Sequence, residues 1–273
     1  MNSSNSSSNE EFSFFSLKSK ISGFLNFQST SKLSSNNPPS SSHSSSSNSN
    51  STNASDGIIR DILGIRVVMI SDTHNDHRSL IIPPGDILIH AGDWTCYGNI
   101  EHTTDFNEWL GTLPHQYKIV VNGNHESNAV WKRQTSSLLS NATFLQENSI
   151  TLNINQRDIK IYGSNFYWPM KNTNNPNFDM IPLDTDILIV HGPAKGFVDG
   201  GGKGCPSLRQ KCLELAFGRS DLNIPSGKLR LVVCGHIHYG YGIDDGIPGL
   251  YFVNASMCRS SRKVENEPLI LDL

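Results

Sequence analysis

The sequence predicts an α/β fold, and three observations carry that prediction. Short runs rich in Ile, Val and Leu recur along the chain at Ile65–Ile70, Asp86–His90, Tyr117–Val121, Asp186–Val190 and Leu229–Cys234. Their length and β-branched content mark them as buried strands. Segments with helical spacing lie between some of them, the alternation expected of a sheet covered by helices. Every run also stops at a turn or short loop that holds Asp, His or Asn, and four of the five have glycine there.

Composition bounds the rest. The chain has 273 residues, 36% of them hydrophobic and 17% charged, and a net charge of -3. That balance gives no general attraction to nucleic acid or to anionic membrane, so no nucleic-acid binding is expected. No apolar run reaches the length of a membrane span. Residues 1–57 are dominated by Ser and Asn, too poor in apolar groups to offset chain entropy, and are expected to form a disordered low-complexity tail. The tail's apolar patch, Phe12–Phe27, carries Lys18 and Lys20 but no Arg, and reads as part of the same tail. Residues 58–273 are then one domain with one core of ordinary size. Five scattered cysteines without a C-x-x-C pair fit a reducing compartment, and a cytoplasmic location is expected.

Taken in order, the first strand ends at Ser71-Asp72-Thr73-His74. Pro83-Pro84-Gly85 interrupts the chain before the second strand, which ends at Gly92-Asp93. Phe106, Trp109, Leu110 and Leu113 share one face of a predicted helix over 101–113, which Pro114 stops. The third strand ends at Asn122-Gly123-Asn124-His125-Glu126, and a second helix is expected over 127–139. Shorter strands follow at Ile150–Ile154 and Ile159–Tyr162, then a loop over 169–180. The Asp186–Val190 strand ends at His191-Gly192-Pro193. Gly200–Gly204 with Lys203 reads as a flexible loop near a cleft. Pro206 suits the first turn of a helix whose Leu208, Cys212, Leu215 and Ala216 share a face and which Gly218 ends. The Leu229–Cys234 strand ends at Gly235-His236-Ile237-His238, and Leu250–Val253 and Leu269–Leu271 close the domain.

Open α/β sheets carry their sites beyond the carboxyl ends of the strands. Strand ends set side by side would gather Asp72, His74, Asp93, Asn124, His125, His191, His236 and His238 into one cleft. Asp72 and His74 are two residues apart, as are His236 and His238. A near-extended chain at these points would aim both members of each pair at the same centre. Imidazole, carboxylate and amide oxygen together suit Mn, Fe, Zn or Ni rather than an all-oxygen calcium cage. His90, His77, His102 and His115 lie outside these turns and read as structural, as does Cys234. Glu126 reads as a carboxylate that orients its turn, and Asn75 as a weaker candidate for phosphate contact.

Asp72-Thr73-His74, Gly92-Asp93, Gly123-Asn124-His125-Glu126, His191-Gly192 and Gly235-His236-Ile237-His238 occur in an order that resembles the calcineurin-like metallophosphoesterase superfamily. The text around Asp86–Gly92, His191-Gly192-Pro193 and Gly240-Tyr241-Gly242 is similar to its metallophosphoesterase domain-containing branch, some members of which hydrolyse cyclic nucleotides or other phosphodiesters. The resemblance implies a four-layer α/β/β/α sandwich and two divalent metal ions. It implies that Asp72, His74 and His238 hold one ion, that Asn124, His191 and His236 hold the other, and that Asp93 bridges them. Asn124 and His125 would face the substrate, and His125 would stabilise the phosphoryl group or protonate the leaving oxygen. Paired cations of this kind clamp a phosphoryl group and supply hydroxide at neutral pH. The expected partner is a small phosphodiester. The competing readings are a phosphomonoesterase or protein phosphatase and a scaffold without chemistry. Gly92-Asp93-Trp94-Thr95-Cys96-Tyr97-Gly98 lacks the Asp-Arg of the protein phosphatase motif, and all seven expected ligands are present, so both competitors rank lower.

Overall fold

The computed structural model describes residues 64–168, 175–260 and 262–273. The expected tail over 1–57, its apolar patch and part of the expected 169–180 loop lie outside the described residues. Among the described residues eleven strands form two mixed sheets. The first has the order β11-β1-β2-β3-β4, built from β1 (Arg66–Ile70), β2 (Ile87–His90), β3 (Tyr117–Val120), β4 (Thr143–Phe144) and β11 (Leu269–Asp272). The second has the order β5-β6-β7-β8-β10-β9. It is built from β5 (Asn148–Ile154), β6 (Arg157–Gly163), β7 (Ile187–Ile189), β8 (Leu231–Cys234), β9 (Gly242–Ile247) and β10 (Leu250–Asn254). The long helices are α1 (Ile100–Thr112) and α4 (Pro206–Phe217); α2 (Asn124–Ser127) and α3 (Thr135–Leu138) are single turns.

The period-2 geometry of the strands sorts their side chains into three apolar layers. Val67 and Met69 of β1, with Ile87 and Ile89 of β2, meet Ile187, Ile189, Leu231 and Val233 of the second sheet. Val68, Ile70, Leu88 and Val120 point the other way, onto Phe106, Trp109 and Leu110 of α1. Leu188, Val232 and Phe252 point away from the first sheet, onto Leu208, Cys212 and Leu215 of α4. Helix, sheet, sheet and helix are therefore stacked as the family resemblance implied. Burying both faces explains why these strands read as continuous apolar runs. Phe106 is wholly buried and stacked on Trp94 at 5.3 Å; removing such a ring costs about 3–5 kcal/mol.

Both long helices start and stop where their residues dictate. The Asn99 side chain accepts a hydrogen bond from Glu101 N (3.0 Å) and caps α1, and the chain is extended again at Leu113 before Pro114. Pro206 opens α4, and Gly218 ends it with a φ of 72°. The expected 127–139 helix does not form. Ala129 and Trp131 are buried while Val130 between them is 99% exposed, a spacing of two that a helix cannot put on one face. The Trp131 indole donates to the Gly98 carbonyl (2.7 Å), which holds the segment in turns. Residues 176–180 form a 3₁₀ turn rather than a loop, opened by Pro176 and capped by the Asn175 side chain. Strands β4 and β9 were not anticipated: β4 has two residues, and the GIDDGI of β9 carries none of the apolar signal of an inner strand.

β1, β2 and β3 run parallel to one another, as do β6, β7, β8 and β10. Their carboxyl ends therefore emerge together. Ser71, just past β1, bridges Ser256, just past β10, and Met257 N donates to the Ser71 carbonyl (2.8 Å). The two sheets meet at that end, where the polar turns of the sequence lie. No helix among the described residues is long and apolar enough to cross a membrane.

Candidate metal centre

The turns after β1 and β2 zip onto each other through the backbone. Asp72 N donates to the Gly92 carbonyl, His74 N to that of Asp93 and Asn75 N to that of Trp94, at 2.9–3.1 Å. Ten described non-glycine residues have positive φ, and Asp72 (53°), His74 (43°), Asn75 (72°), Asp93 (57°) and His236 (64°) are five of them. Such conformations cost of the order of 1–3 kcal/mol each and gather where function needs them. They also correct one expectation: the Asp72/His74 and His236/His238 pairs are not extended. Left-handed turns aim their side chains, and His236 and His238 consequently join different groups.

Three groups of ligand-bearing side chains result, each with its donor atoms within 4.8 Å of one another. They are Asp72/His74/His238, His74/Asp93/His125 and Asp93/His191/His236. All eight residues singled out by the sequence meet here, since the Asn124 amide oxygen lies 3.2 Å from His191 Nε2 and 2.9 Å from His236 Nδ1. Close backbone approach makes this packing possible. A Cβ on Gly123 would overlap the Asp93 carboxylate, and one on Gly235 would overlap that of Asp72.

Surrounding groups fix which nitrogen of each ring faces inward. His74 Nδ1 donates to the Thr95 carbonyl (3.2 Å), His191 Nδ1 to that of Ala91 (2.7 Å) and His238 Nδ1 to that of Arg259 (2.9 Å). In neutral rings the lone pairs are then on Nε2. His74 Nε2 and His238 Nε2 stand 3.3 Å apart, with Asp72 Oδ1 3.3 Å from the latter. Three electron-pair donors pointed at one another repel unless a proton or a cation lies among them. The donors thus fit metal ions, and imidazole with carboxylate is the set that transition metals prefer.

Electrostatics carry the same demand for positive charge. Burial alone would raise Asp72, but the hydrogen bond with His238 and the charges of His191, His238 and His74 hold it far below the usual carboxylate range. Asp93 is likewise lowered: His191 outweighs burial. Burial would lower His191, yet Asp93 and Asp72 raise it to about 9, so in metal-free protein a proton supplies the missing charge. His236 is pushed down to about 4 by burial and then by the charge of His191.

Several neighbours escaped the sequence reading. Ser256 Oγ donates to Asp72 Oδ2 (2.7 Å), and Asn254 Nδ2 reaches the Val198, Gly235 and Ile237 carbonyls. Asn254 ends an apolar strand and Ser256 follows it, the signal used for the other turns, but Leu250–Val253 reads in the sequence only as a closing strand. Glu126, wholly buried, accepts from Asp93 N (2.9 Å), Gly123 N (3.0 Å) and Thr95 N (2.9 Å), so it orients its turn as expected. Burial and then Asp93 raise it to about 7. Asn75 Oδ1 accepts from Cys96 N (3.2 Å), so the side-chain amide oxygen is already engaged. His90 accepts from Gly92 N at Nδ1 and is lowered to about 3 by burial, a neutral structural ring. Cys234 is buried filler. The Gly200–Gly204 loop is not a phosphate cradle: the Asp199 carboxylate takes its Gly202 and Gly204 amides (2.9 and 2.8 Å).

Comparison with known proteins points to a family for this chain. Residues 65–240 match the model of the calcineurin-like phosphoesterases. The chain is 36% identical over 244 residues to metallophosphoesterase domain-containing protein 1 of Homo sapiens, covering 76% of this chain and 71% of that one. It is 31% identical to a UPF0046 protein of Caenorhabditis elegans, over 77% of this chain and 60% of that one. It is 38% identical to a probable rhamnogalacturonate lyase C of Emericella nidulans, over 65% of this chain but only 17% of that one. The matched span contains every turn of the cluster, from Asp72 to His238. With the cluster's fit to metal ions, the match places this chain in the calcineurin-like metallophosphoesterase family.

Proposed function

We propose that this chain is a dinuclear-metal-dependent phosphodiesterase acting on small phosphodiesters, cyclic nucleotides among them. One observation carries the reading: Asp93 belongs to two of the three ligand groups, with His74 and His125 on one side and His191 and His236 on the other. A carboxylate shared in this way suits a bridge between two ions. Asp72, His74 and His238 would hold one, and Asn124, His191 and His236 the other. The mixed donors support Mn, Fe, Zn or Ni, and manganese is the first to try. Two bound cations would acidify a water and offset charge on the phosphoryl oxygens.

The chain's own groups do the rest. Asp93 Oδ1 accepts from His125 N (2.9 Å), and His125 Nε2 stands 3.7 Å from Asp93 Oδ2, at the edge of the donor set. The His125 ring lies edge-on to His74 at 4.9 Å, which fixes its direction. From there it serves as the proton donor to the leaving oxygen. Phe166 lies edge-on to His191 (5.3 Å) and His236 (5.1 Å) and flanks the donor set on that side.

The test compares bis-p-nitrophenyl phosphate, p-nitrophenyl phosphate and a phosphopeptide, each with Mn, Zn, Fe and Mg. Metal-dependent hydrolysis led by the diester is expected. Activity confined to the phosphopeptide would overturn the diesterase reading.

A further inference from the structure

One cation beside the cluster has no place in that account. Past β10, Cys258 bridges Val264, and Val264 N donates to Asp76 Oδ2 (2.9 Å). The Arg259 carbonyl receives His238 Nδ1, so this part of the chain is tied to a proposed metal ligand. The exposed Arg262 guanidinium lies over the Tyr97 ring, 4.4 Å from its centre. It also interacts with the Cys96 thiol. Tyr97 lies 6.3 Å from the His125 ring, and Cys96 Sγ donates to the His74 carbonyl (2.9 Å). Arg262 is therefore one residue removed from both His74 and His125. Among the described residues it forms no ion pair with a carboxylate.

Stacking on an aromatic face holds a guanidinium in one orientation and leaves its N–H fork to meet an anion. The position matters chemically. Arg262 brings a guanidinium from a distant part of the chain to the stretch that follows Asp93.

We propose that Arg262, oriented by Tyr97, is a specificity-determining residue that binds a second anionic group of the substrate, carried on an ester arm beyond the scissile phosphoryl. This rests on the phosphodiesterase reading and adds the substrate class: diesters with a carboxylate or a further phosphate on one arm.

Three p-nitrophenyl diesters test it on the full, metal-loaded chain, with carboxymethyl, ethyl and choline as the second ester group. Native protein should rank them carboxymethyl, ethyl, choline by kcat/KM. Arg262→Gln should lower the carboxymethyl-to-choline ratio about tenfold, the scale of one charge-assisted hydrogen bond, and mainly through KM. Arg262→Lys should restore part of the ratio. A merely structural arginine would move all three substrates alike, and an unchanged ratio in Arg262→Gln would overturn this inference alone. Native protein that hydrolyses none of the three would overturn the diesterase reading together with it.

Discussion

The turns of the first sheet and those of the second make unlike contributions to one cluster. β1, β2 and β3 deliver Asp72, His74, Asp93, Asn124 and His125, which include both carboxylates and the amide. β7 and β8 deliver His191, His236 and His238, imidazoles only. The first half keeps its negative charge at any ordinary pH and requires positive partners. The second half supplies them as protons or yields them to cations. Four of the five strained turn residues are in the first half, and amides from the second hold it: His236 N donates to both Asp72 oxygens (3.0 and 3.1 Å). Of the three ligand groups only His74/Asp93/His125 comes from one sheet; the other two exist only where the acidic turns and the imidazole turns are pressed together.

Substitutions in each half sharpen that contrast. His125→Ala removes the one first-half group assigned to the proton rather than to metal. Metal content should be unchanged while kcat falls about 10²–10⁴-fold, the scale of a lost general acid; metal loss measured beside the rates would show that the role is wrong. Glu126→Gln would set an amide NH₂ against the Asp93, Gly123 and Thr95 amides that the carboxylate now receives. Metal affinity by titration should weaken about 10–100-fold. Ser256→Ala takes from Asp72 a hydrogen bond supplied by the second sheet. Urea unfolding of metal-free protein should show a loss of about 1–2 kcal/mol.

The gentlest test changes only pH. His191 is raised to about 9 in metal-free protein, so its ring is protonated below that pH. Cation uptake must expel that proton, and affinity should rise with pH until the ring is already neutral. Calorimetry in buffers of different ionisation heat should find at least about one more proton released per chain at pH 7.5 than well above pH 9. Equal release at both would remove His191 from the account.

Much of this was legible in the residues. Strands buried on both faces announce themselves as apolar runs, and a polar residue just past each run marks the end of a parallel sheet where sites form. The same signal lay unused at Asn254 and Ser256, whose run looked like an ordinary edge. What could not be read was backbone geometry. Nothing in Asp72-Thr73-His74 declares left-handed φ angles, and an extended reading would send His236 and His238 to the same centre. The failed 127–139 helix has a related cause: its residues have ordinary helix propensity, but Ala129 and Trp131 are drawn onto Trp94 and Gly98 by contacts far along the chain. The role of Glu126 was legible because it is the only carboxylate of its turn, Asn122-Gly123-Asn124-His125-Glu126, and stands beside the residues read as ligands.

The central claim is that one carboxylate serves both halves of the cluster. Metal analysis of the native chain beside Asp93→Ala, each saturated with manganese and freed of excess, tests it most directly. Two ions per native chain and fewer than one in the variant are expected, together with at least about a 10³-fold fall in kcat/KM for bis-p-nitrophenyl phosphate. A variant that still holds two ions, or a native chain that never takes more than one, would contradict it.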